Sequence, residues 1–321
     1  LYRIQPAPAA NKKSFTSILH NHKWALWILI ITITVLWGYA WVLMKASLDY
    51  LGPFTFTAFR FGIGSLTLLF IVWVLKLGIP RKKYWKPLIL VGLLQTAAVF
   101  LLVMYGLRFV DAGKSSVLLY SMPMWSSFLA VKFLGEKLTV KQVIGLFTGM
   151  VGLLTILGWD IWIGQSMQML FGEVLIIIAA VVWAISNIYF RLHLEELPKI
   201  QSSAYQMTFG TIGIFIAALF MEWGDPVHLN AHSIYYILFA GILASALCFT
   251  VWYLILSLID MVTATIATLL VPIFGLLFSA LLLGEKMSIG IIVGSSLIIC
   301  GIVVAQKGNK EIKDERLKES I

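Results

Sequence analysis

Charged residues are scarce in this 321-residue chain: Asp, Glu, Lys and Arg make up 12% of it, and hydrophobic residues 60%. Soluble domains carry roughly 25% charged residues, so the composition argues against an ordinary soluble protein. Cysteine is nearly absent. Because Cys248 and Cys300 both lie in apolar runs, no disulfide framework is expected. A mean hydropathy of +0.93 indicates a protein whose main solvent is lipid.

Motifs of enzymes and metal sites are missing as well. The chain contains no HExxH, GxSxG or P-loop pattern and no paired cysteines. Its five histidines lie outside the apolar runs, so neither a metal site nor a cofactor is predicted. Residues 1–23 lack a compact apolar core followed by a cleavage site, so no signal peptide is predicted.

Long apolar runs take up most of the chain. A helix needs about 20 apolar residues to cross the hydrocarbon core of a bilayer, and ten runs approach that length. They are 24–44, 54–75, 87–107, 115–134, 140–159, 169–190, 201–221, 233–257, 262–283 and 288–305. The predicted fold is therefore an all-α polytopic membrane protein with ten transmembrane helices.

Lysine and arginine are distributed unequally between the two sides of the predicted bundle. If the N-terminus is cytoplasmic, the outside segments hold only Lys45, Arg108, Lys114 and Lys286. The inside segments hold Arg3, Lys12, Lys13, Lys23, Lys76, Arg81, Lys82, Lys83, Lys86, Lys132, Lys137, Lys141, Arg191, Lys199, Lys307, Lys310, Lys313, Arg316 and Lys318. The asymmetry predicts a plasma-membrane protein with both termini in the cytoplasm, and it explains the net charge of +9 better than nucleic-acid binding does.

Matching residues recur along the chain at nearly fixed offsets. Pairs 146 residues apart are Trp37 and Trp183, Lys45 and Arg191, and Arg60 and Gln206. Pairs 149 residues apart are Asp111 and Asp260, Pro123 and Pro272, Gly152 and Gly301, and the Gly-Glu-Lys runs at 135–137 and 284–286. The offsets predict two five-helix repeats, 24–159 and 169–305, between cytoplasmic tails at 1–23 and 306–321. Since five is odd, the second repeat is inverted, which is typical of transporters with a substrate site near the midplane.

Each half also contains two blocks of a familiar pattern. The first half has "LWGYAWVLMKASLDYLGPFTFTAFRF" and "LLVMYGLRFVDAGKSSVLLYSMPMWSSFLAVKFLGEKLT"; the second has "FGEVLIIIAAVVWAISNIYFRLHLE" and "FTVWYLILSLIDMVTATIATLLVPIFGLLFSALLLGEKMS". Over nearly its whole length the sequence resembles the EamA-type transporters of the drug/metabolite transporter superfamily, ten-helix class. The resemblance implies a ten-helix carrier, since members of this family are mostly bacterial exporters of amino acids and other small metabolites. It also implies a central cavity walled by the first four helices of each half, with the fifth helices at the periphery.

An ionisable side chain within a membrane span is costly and therefore suggests function. Arg60 lies about two turns into the second run, and its side chain either reaches the outer interface or faces a cavity. Gln206 occupies the matching position of the inverted half, which favours two facing cavity positions, one cationic and one neutral. Lys45 and Arg191 lie at span ends and are interpreted as interface anchors.

Polar and aromatic residues within the runs complete the candidate substrate site. Gln95 either joins two helices or contacts substrate. Asn187 follows Trp183 by one helical turn, as Trp41 follows Trp37, so each pair shares a helix face. These aromatic residues either line the cavity or pack. The remaining candidates are Tyr105, Tyr120 and Trp252. A cation beside neutral hydrogen-bonding groups and aromatic walls suits a carboxylate-bearing or zwitterionic metabolite.

Two prolines and two glutamates lie at positions that affect helix geometry. Pro123 and Pro272 each remove a backbone donor and kink a helix, either as a gate hinge or as a static feature of packing. Glu173 is expected to open the sixth helix near the outer interface, where its charge suits a helix N-terminus. Glu285 and Lys286 are expected to cap a span end in water. No Asp or Glu lies near the middle of a run, so proton antiport has no obvious carrier residue.

The predicted function is secondary transport of small metabolites, amino acids or related zwitterionic or anionic compounds, by alternating access. Export is the direction that the resemblance implies. A membrane-embedded enzyme is the alternative, but it would need a clustered set of nucleophiles or metal ligands. A non-transporting scaffold would not need two inverted halves. The expected partners are a small-molecule substrate and the lipid bilayer, without nucleic acid.

Overall fold

The described residues of the chain form ten helical segments. The computed structural model describes residues 23–134, 139–162, 164, 166–258, 268, 270–301 and 303–304, none of which lies in a β-strand. The helices are α1 (Lys23–Ser47), α2 (Pro53–Val74), α3 (Trp85–Val91, Gly92–Ala98 and Val99–Gly106), α4 (Ala112–Leu119 and Met122–Leu134), α5 (Val140–Trp162), α6 (Met167–Leu194), α7 (Lys199–Met221), α8 (Ala231–Leu238, Phe239–Leu247 and Cys248–Leu258), α9 (Leu270–Phe278 and Ser279–Leu283) and α10 (Ile289–Gly301). Both tails, residues 135–137 and Asp260 lie outside the described residues.

Six of these helices are long and apolar enough to cross a membrane. They belong to α1, α2, α3, α6, α7 and α8, and shorter apolar helices lie in α5, α9 and α10. In α4, the helix is interrupted at Tyr120 and Ser121, so neither of its parts reaches that length alone. The prediction of an all-α polytopic membrane fold is confirmed.

The bundle has two ends, each defined by contacts between its loops. At the end called the Glu222 end, the Lys45 ammonium group donates to the Leu107 carbonyl oxygen (2.6 Å), and Glu222 accepts from the start of α2. At the opposite end, called the Lys76 end, the Gln201 amide donates to the Gly78 carbonyl oxygen (2.9 Å). Helix α1 runs toward the Glu222 end, whereas α6 begins there and runs away from it. The two halves are therefore antiparallel.

Helices of one half pack mainly against helices of the other half. Helix α2 packs along α7 and α8, α1 along α9, and α3 along α6 and α7. The fifth helices also meet each other, because a Cβ placed on Gly152 of α5 would lie 2.6 Å from the Gly294 carbonyl oxygen of α10. Every wall of the central region is thus shared between the repeats.

A π-helical turn occurs at the same position of each repeat. Gly92–Ala98 of α3 and Phe239–Leu247 of α8 both leave regular α-helical geometry. Gly92 and Gly241, which lie 149 residues apart, begin matching stretches of these turns, and their α-carbons lie against the carbonyl oxygens of Gln206 and Arg60 respectively. π turns are rare and often occur at functional sites. This pair of turns therefore favours a functional site near Arg60 and Gln206.

Close helix packing makes Gly210 of α7 sensitive to added volume. A Cβ there would overlap the Thr96 side chain and lie 2.5 Å from the Gly92 carbonyl oxygen. Overpacking of this kind costs about 1–3 kcal/mol, so Gly210→Ala is expected to lower the unfolding free energy in detergent by that amount. Gly62→Ala is the matched control, because its Cβ would meet only the Thr211 methyl group, at 3.9 Å. The helix preference for alanine should leave that variant equally or more stable. Equal stability losses in both variants would contradict the packing.

Candidate functional site

Arg60 lies inside the bundle rather than at its surface. It is the eighth residue of α2, about 10 Å from the start of the helix at 1.5 Å per residue, and its exposed fraction is 2%. The guanidinium group donates from Nε to the Ser245 hydroxyl oxygen (2.9 Å) and from Nη1 to the Met44 sulfur atom (2.9 Å). Of the two alternatives drawn from the sequence, a side chain that reaches the outer interface is therefore excluded.

The guanidinium group of Arg60 is only partly compensated. Its central carbon lies 4.9 Å from the ring centre of Phe61 and 4.8 Å from that of Phe100. A hydroxyl oxygen and a thioether sulfur use two of its five N–H donors, and the sulfur is a weak acceptor. Within the described part of the chain, no carboxylate lies at salt-bridge distance from it. A buried cation with spare donors favours binding of an anionic group.

The partners of Arg60 and Gln206 obey the same repeat as the two residues themselves. Gln206 is fully buried, and its Oε1 accepts from the Thr96 hydroxyl group at 2.9 Å. Thr96 and Ser245 are 149 residues apart, so each polar residue contacts a hydroxyl group at the corresponding place in the opposite half. Among the residues that the structure describes, the Nε2 atom of Gln206 has no hydrogen-bond partner. It adds a second donor that an incoming ligand can satisfy.

Four aromatic rings form a chain across the interface between the repeats. The ring centres of Trp37 and Phe249 are 5.9 Å apart, those of Phe249 and Phe100 are 6.5 Å apart, and those of Phe100 and Trp183 are 6.2 Å apart. Since Trp37 matches Trp183 and Phe100 matches Phe249, the chain follows the internal repeat. The Arg60 guanidinium group lies over Phe100, one of its two central rings.

Two more tryptophans from the candidate set lie close to this chain or to its helices. The Trp37 indole N–H donates to the Ala244 carbonyl oxygen (2.9 Å), and the Trp37 and Trp252 ring centres are 6.1 Å apart. Trp41 is buried and faces Gly275 of α9. Trp37 and Trp41 therefore hold α1 against α8 and α9.

The remaining polar candidates lie around α4 and α6. The Gln95 Oε1 atom accepts from the Ser186 hydroxyl group (3.3 Å), so Gln95 joins α3 to α6. The Asn187 amide donates to the Met122 sulfur atom (3.1 Å), immediately after the interruption of α4. Tyr120 is buried at the interruption itself.

Tyr105 is separated from the Arg60 region. Its ring contacts Phe54, Phe109 and Phe171, which gather near the Glu222 end, with ring centres 5.7–6.5 Å away. Among the described ring contacts of Tyr105, none involves the chain of four aromatic rings. Tyr105 therefore helps to pack α2, α3 and α6 together near the Glu222 end.

The two prolines lie in α4 and α9. Pro123 is the second residue of Met122–Leu134, directly after the turn at Tyr120 and Ser121. A proline is well tolerated in a first helical turn, where its missing N–H has no intrahelical partner. Pro272 lies in the segment Leu270–Phe278, and Thr268 before it is also helical. Residues 259–267, which precede this segment, lie outside the described part of the chain.

Glu173 does not open its helix, contrary to the sequence prediction. Helix α6 begins at Met167, with the Ser166 side chain accepting from the Met169 N–H. Glu173 is fully buried and forms an ion pair with Lys114 of α4, which is also buried. Lys114 is therefore not an exposed loop residue, and the pair joins one repeat to the other.

Charged side chains also cap three helix ends at the Glu222 end. The Glu285 carboxylate accepts from the N–H groups of Ala112 (2.7 Å) and Gly113 (3.0 Å), which begin α4. Lys45 donates to the carbonyl oxygens of Leu107 (2.6 Å) and Val110 (2.9 Å), after α3. Such contacts satisfy helix-end groups and match the helix dipole. Glu285 was expected to cap its own span in water, but it binds the first half instead. Lys45 binds protein carbonyls rather than the lipid interface.

The third cap is formed by Glu222. Its carboxylate accepts from the N–H groups of Phe54 (2.8 Å) and Thr55 (2.7 Å) and from the Thr55 hydroxyl group (2.6 Å). A Cβ on Gly52 would overlap this carboxylate, so the cap also depends on a glycine before α2. The contact fastens the end of α7 to the start of α2.

Removal of the Glu222 cap should lower the stability of the folded protein. Glu222→Ala is expected to lower the unfolding free energy by about 1–2 kcal/mol, the usual penalty for losing a helix N-terminal cap. Denaturation of the purified protein in detergent measures this value. Asp225→Ala, which removes an exposed acidic residue three positions away, is the matched control and should change little. A smaller loss for Glu222→Ala than for the control would exclude the capping role.

Several central residues were missed in the sequence. Phe100, Phe249, Thr96 and Ser245 lie within apolar runs and look like ordinary core residues there. Their 149-residue offsets were visible and could have identified them. Met44 carries no comparable signal, because the matching position holds Phe190.

A membrane-spanning bundle of two antiparallel five-helix halves, with a buried polar and aromatic centre between them, is the architecture of secondary transporters. The model of the EamA-like transporter family matches residues 23–158 and again residues 170–305. The chain belongs to the EamA-like transporter family.

Relatives of known name agree with this assignment. An uncharacterized transporter of Bacillus subtilis, YoaV, is 33% identical over 275 residues, covering 85% of this chain and 94% of its own length. A probable terminal-alkyne amino-acid exporter of Streptantibioticus cattleyicolor is 26% identical over 88% of this chain and 93% of its own. A probable amino-acid metabolite efflux pump of Escherichia coli is 24% identical, over 86% and 93%. These names indicate a transporter rather than an enzyme.

A solved crystal structure shares the fold. It superposes with a TM-score of 0.67 and covers 88% of this chain and 95% of its own, at 17% sequence identity. At this identity, the likeness shows the architecture alone.

Proposed function

We propose that this protein is a secondary transporter of small metabolites that carry a carboxylate group, namely amino acids and related zwitterionic or anionic compounds. Arg60 is the observation that carries the proposal. It is buried, it has spare N–H donors, and no described carboxylate neutralises it. A substrate carboxylate would supply the missing acceptor through a paired, charge-assisted hydrogen bond.

The aromatic rings and the neutral polar groups complete the proposed site. Trp37, Trp183, Phe100 and Phe249 would form its apolar walls, as in most small-molecule sites. The Nε2 atom of Gln206, which lacks a partner within the described part of the chain, would donate to a second acceptor on the substrate. The residues proposed to surround this site are Gln95, Asn187, Tyr120, Trp41 and Trp252. Tyr105 is proposed to lie at its entrance from the Glu222 end.

Alternating access would require contacts at the two ends to break in turn. The Glu222 contact with α2 and the Gln201 contact with Gly78 both join α7 to the segment around α2, at opposite ends of the bundle. Thr55 and Gln201 are 146 residues apart, as are Lys76 and Glu222, so the two contacts join corresponding segments of the two repeats. Rocking of one half against the other would open one and preserve the other. Pro123, beside the interruption of α4, and Pro272 of α9 are the proposed hinges.

We assign the Lys76 end to the cytoplasm and the Glu222 end to the outside of the plasma membrane. The loop after α2 carries Lys76, Arg81, Lys82 and Lys83, and Lys86 follows, as the positive-inside rule favours. Both termini would then be cytoplasmic. Export is the proposed direction because relatives are named as an exporter and an efflux pump.

Ligand-dependent thermal stability of the purified protein tests the proposed substrate class. The probes are leucine and phenylalanine, together with isopentylamine, phenethylamine and phenylalanine methyl ester, which lack the free carboxylate. A ligand that binds only the folded protein stabilises it by about 2.7 kcal/mol at 100 times its Kd. We expect stabilisation by at least one free amino acid and none by its amine or ester. Equal effects of acid and amine would refute carboxylate recognition.

A further inference from the structure

An apolar groove lies on the surface of the bundle at the Lys76 end, away from the central site. Its volume is about 710 Å³, and it runs between the last turn of α2, the loop that follows and α7. Trp73, Val74, Ile79 and Tyr205 are among the side chains that line it, together with one basic residue, Lys76. Trp73 is 74% exposed and Ile79 is 72% exposed, so the groove opens to the surroundings of the protein.

The backbone holds Lys76 in an unusual conformation. Helix α2 ends in a Schellman motif, in which the Lys76 N–H donates to the Trp73 carbonyl oxygen (3.0 Å) and the Leu77 N–H to that of Val72 (3.1 Å). The left-handed position of this motif is usually a glycine, but here it is Lys76, with φ of 53°. Lys76 is the one described residue other than glycine with positive φ. Departures from a local rule concentrate at functional positions.

Contacts from α7 fix the far wall of the groove. The Gln201 amide donates to the carbonyl oxygens of Leu77 (3.3 Å) and Gly78 (2.9 Å), directly after Lys76. The Trp85 indole N–H donates to the Pro80 carbonyl oxygen (3.0 Å) at the end of the loop. The groove is therefore a formed feature, and it spans the junction between the two repeats.

The loop and the helix start that follow the groove in the chain carry further positive charge. Arg81, Lys82 and Lys86 are exposed, and like Lys76 they have no carboxylate at salt-bridge distance among the described residues. Lys83 differs, because it pairs with Glu196 at 3.7 Å. Together with two nearby tryptophans, Trp73 and Trp85, this arrangement is typical of the level of the lipid headgroups. An apolar groove with a lysine in its lining matches the two parts of an anionic phospholipid, the acyl chain and the phosphate.

We propose that this groove binds a phospholipid with an anionic headgroup, whose phosphate contacts Lys76 and whose acyl chain lies against Trp73, Val74 and Ile79. Basic pockets between transmembrane helices bind anionic lipids in this way. A lipid held there would bridge α2 and α7 beside the Gln201–Gly78 contact and would stabilise closure of the Lys76 end. The site is independent of the transported substrate.

The test uses purified full-length protein in detergent micelles. The probes are dioleoyl phosphatidylglycerol, dioleoyl phosphatidylcholine and free glycerol phosphate, and the measurement is the thermal unfolding midpoint as a function of probe concentration. Lys76→Gly removes the cation and supplies the residue that the Schellman position prefers, so it should fold at least as well as the parent protein. Lys286→Gly, which removes an exposed lysine at the opposite end, is the matched control.

Phosphatidylglycerol is expected to raise the midpoint, and phosphatidylcholine is not. One lysine near a membrane surface contributes about 1 kcal/mol of binding free energy. The phosphatidylglycerol concentration at half-saturation should therefore be about fivefold higher for Lys76→Gly than for the parent protein. Lys286→Gly should behave as the parent protein does. Equal effects of the two lipids, or unchanged saturation in Lys76→Gly, would overturn the proposal. A shift with glycerol phosphate alone would also overturn it, because the ligand would then be a soluble phosphate.

Discussion

Replacement of Arg60 by methionine is expected to reduce transport of carboxylate-bearing substrates by about 10- to 150-fold, the loss of one charged hydrogen-bonding partner worth about 1.5–3 kcal/mol. The folded yield should not fall, because Arg60 is a buried cation without a described carboxylate partner. Methionine also fits beside Met44 and Phe100, which Arg60 contacts now. Initial transport rates in proteoliposomes measure the effect.

Two further variants separate the charge of Arg60 from its shape. Arg60→Lys keeps the charge but loses the planar fork, so an intermediate rate is expected. Arg191→Met removes an exposed arginine near the end of α6 and serves as the matched control. Unchanged transport in a folded Arg60→Met protein would show that Arg60 has a structural role only. It would also remove the basis for an anionic substrate.

Loss of either member of the Lys114–Glu173 ion pair should be the largest stability effect in the protein. Breaking a buried pair leaves an uncompensated charge and costs about 3–5 kcal/mol, so Lys114→Met and Glu173→Met are each expected to lower the unfolding free energy by that amount. Both side chains are almost completely buried, which keeps water from screening the remaining charge. The shift of the denaturation midpoint in detergent measures the effect.

The double variant distinguishes mutual compensation from two separate structural roles. Lys114→Met combined with Glu173→Met removes both charges and replaces them with apolar volume. Because such replacements are often neutral or stabilising, most of the lost stability should return. A double variant that is less stable than both single variants would contradict pairing as the reason for their burial.

Much of the architecture could be predicted from the sequence, because lipid imposes a simple rule on it. Runs of apolar residues must form helices of sufficient length, and the repeated offsets gave the inverted halves. Arg60 and Gln206 could be paired in the same way. Their hydroxyl partners, Ser245 and Thr96, obey the matching offset but give no signal of charge that distinguishes them from other small polar residues in helices.

Contacts between distant segments could not be predicted in this way. Glu285 caps a helix 173 residues earlier, and Glu222 caps one 168 residues earlier, so the sequence near each glutamate says nothing of its partner. Glu173 was misplaced for a related reason: the start of α6 is set by Ser166, two turns before it. The π turns of α3 and α8 depend on close packing at Gly92 and Gly241, which is a property of the assembled bundle.

Solute flux through the purified protein is the most direct measurement of transport by two inverted halves around Arg60. Liposomes containing the protein are loaded with a panel of labelled amino acids, and the loss of each label is compared with that from protein-free vesicles. We predict protein-dependent release of at least one amino acid and a reduction of that release in Arg60→Met. No release of any amino acid above the protein-free level would contradict the proposed transport.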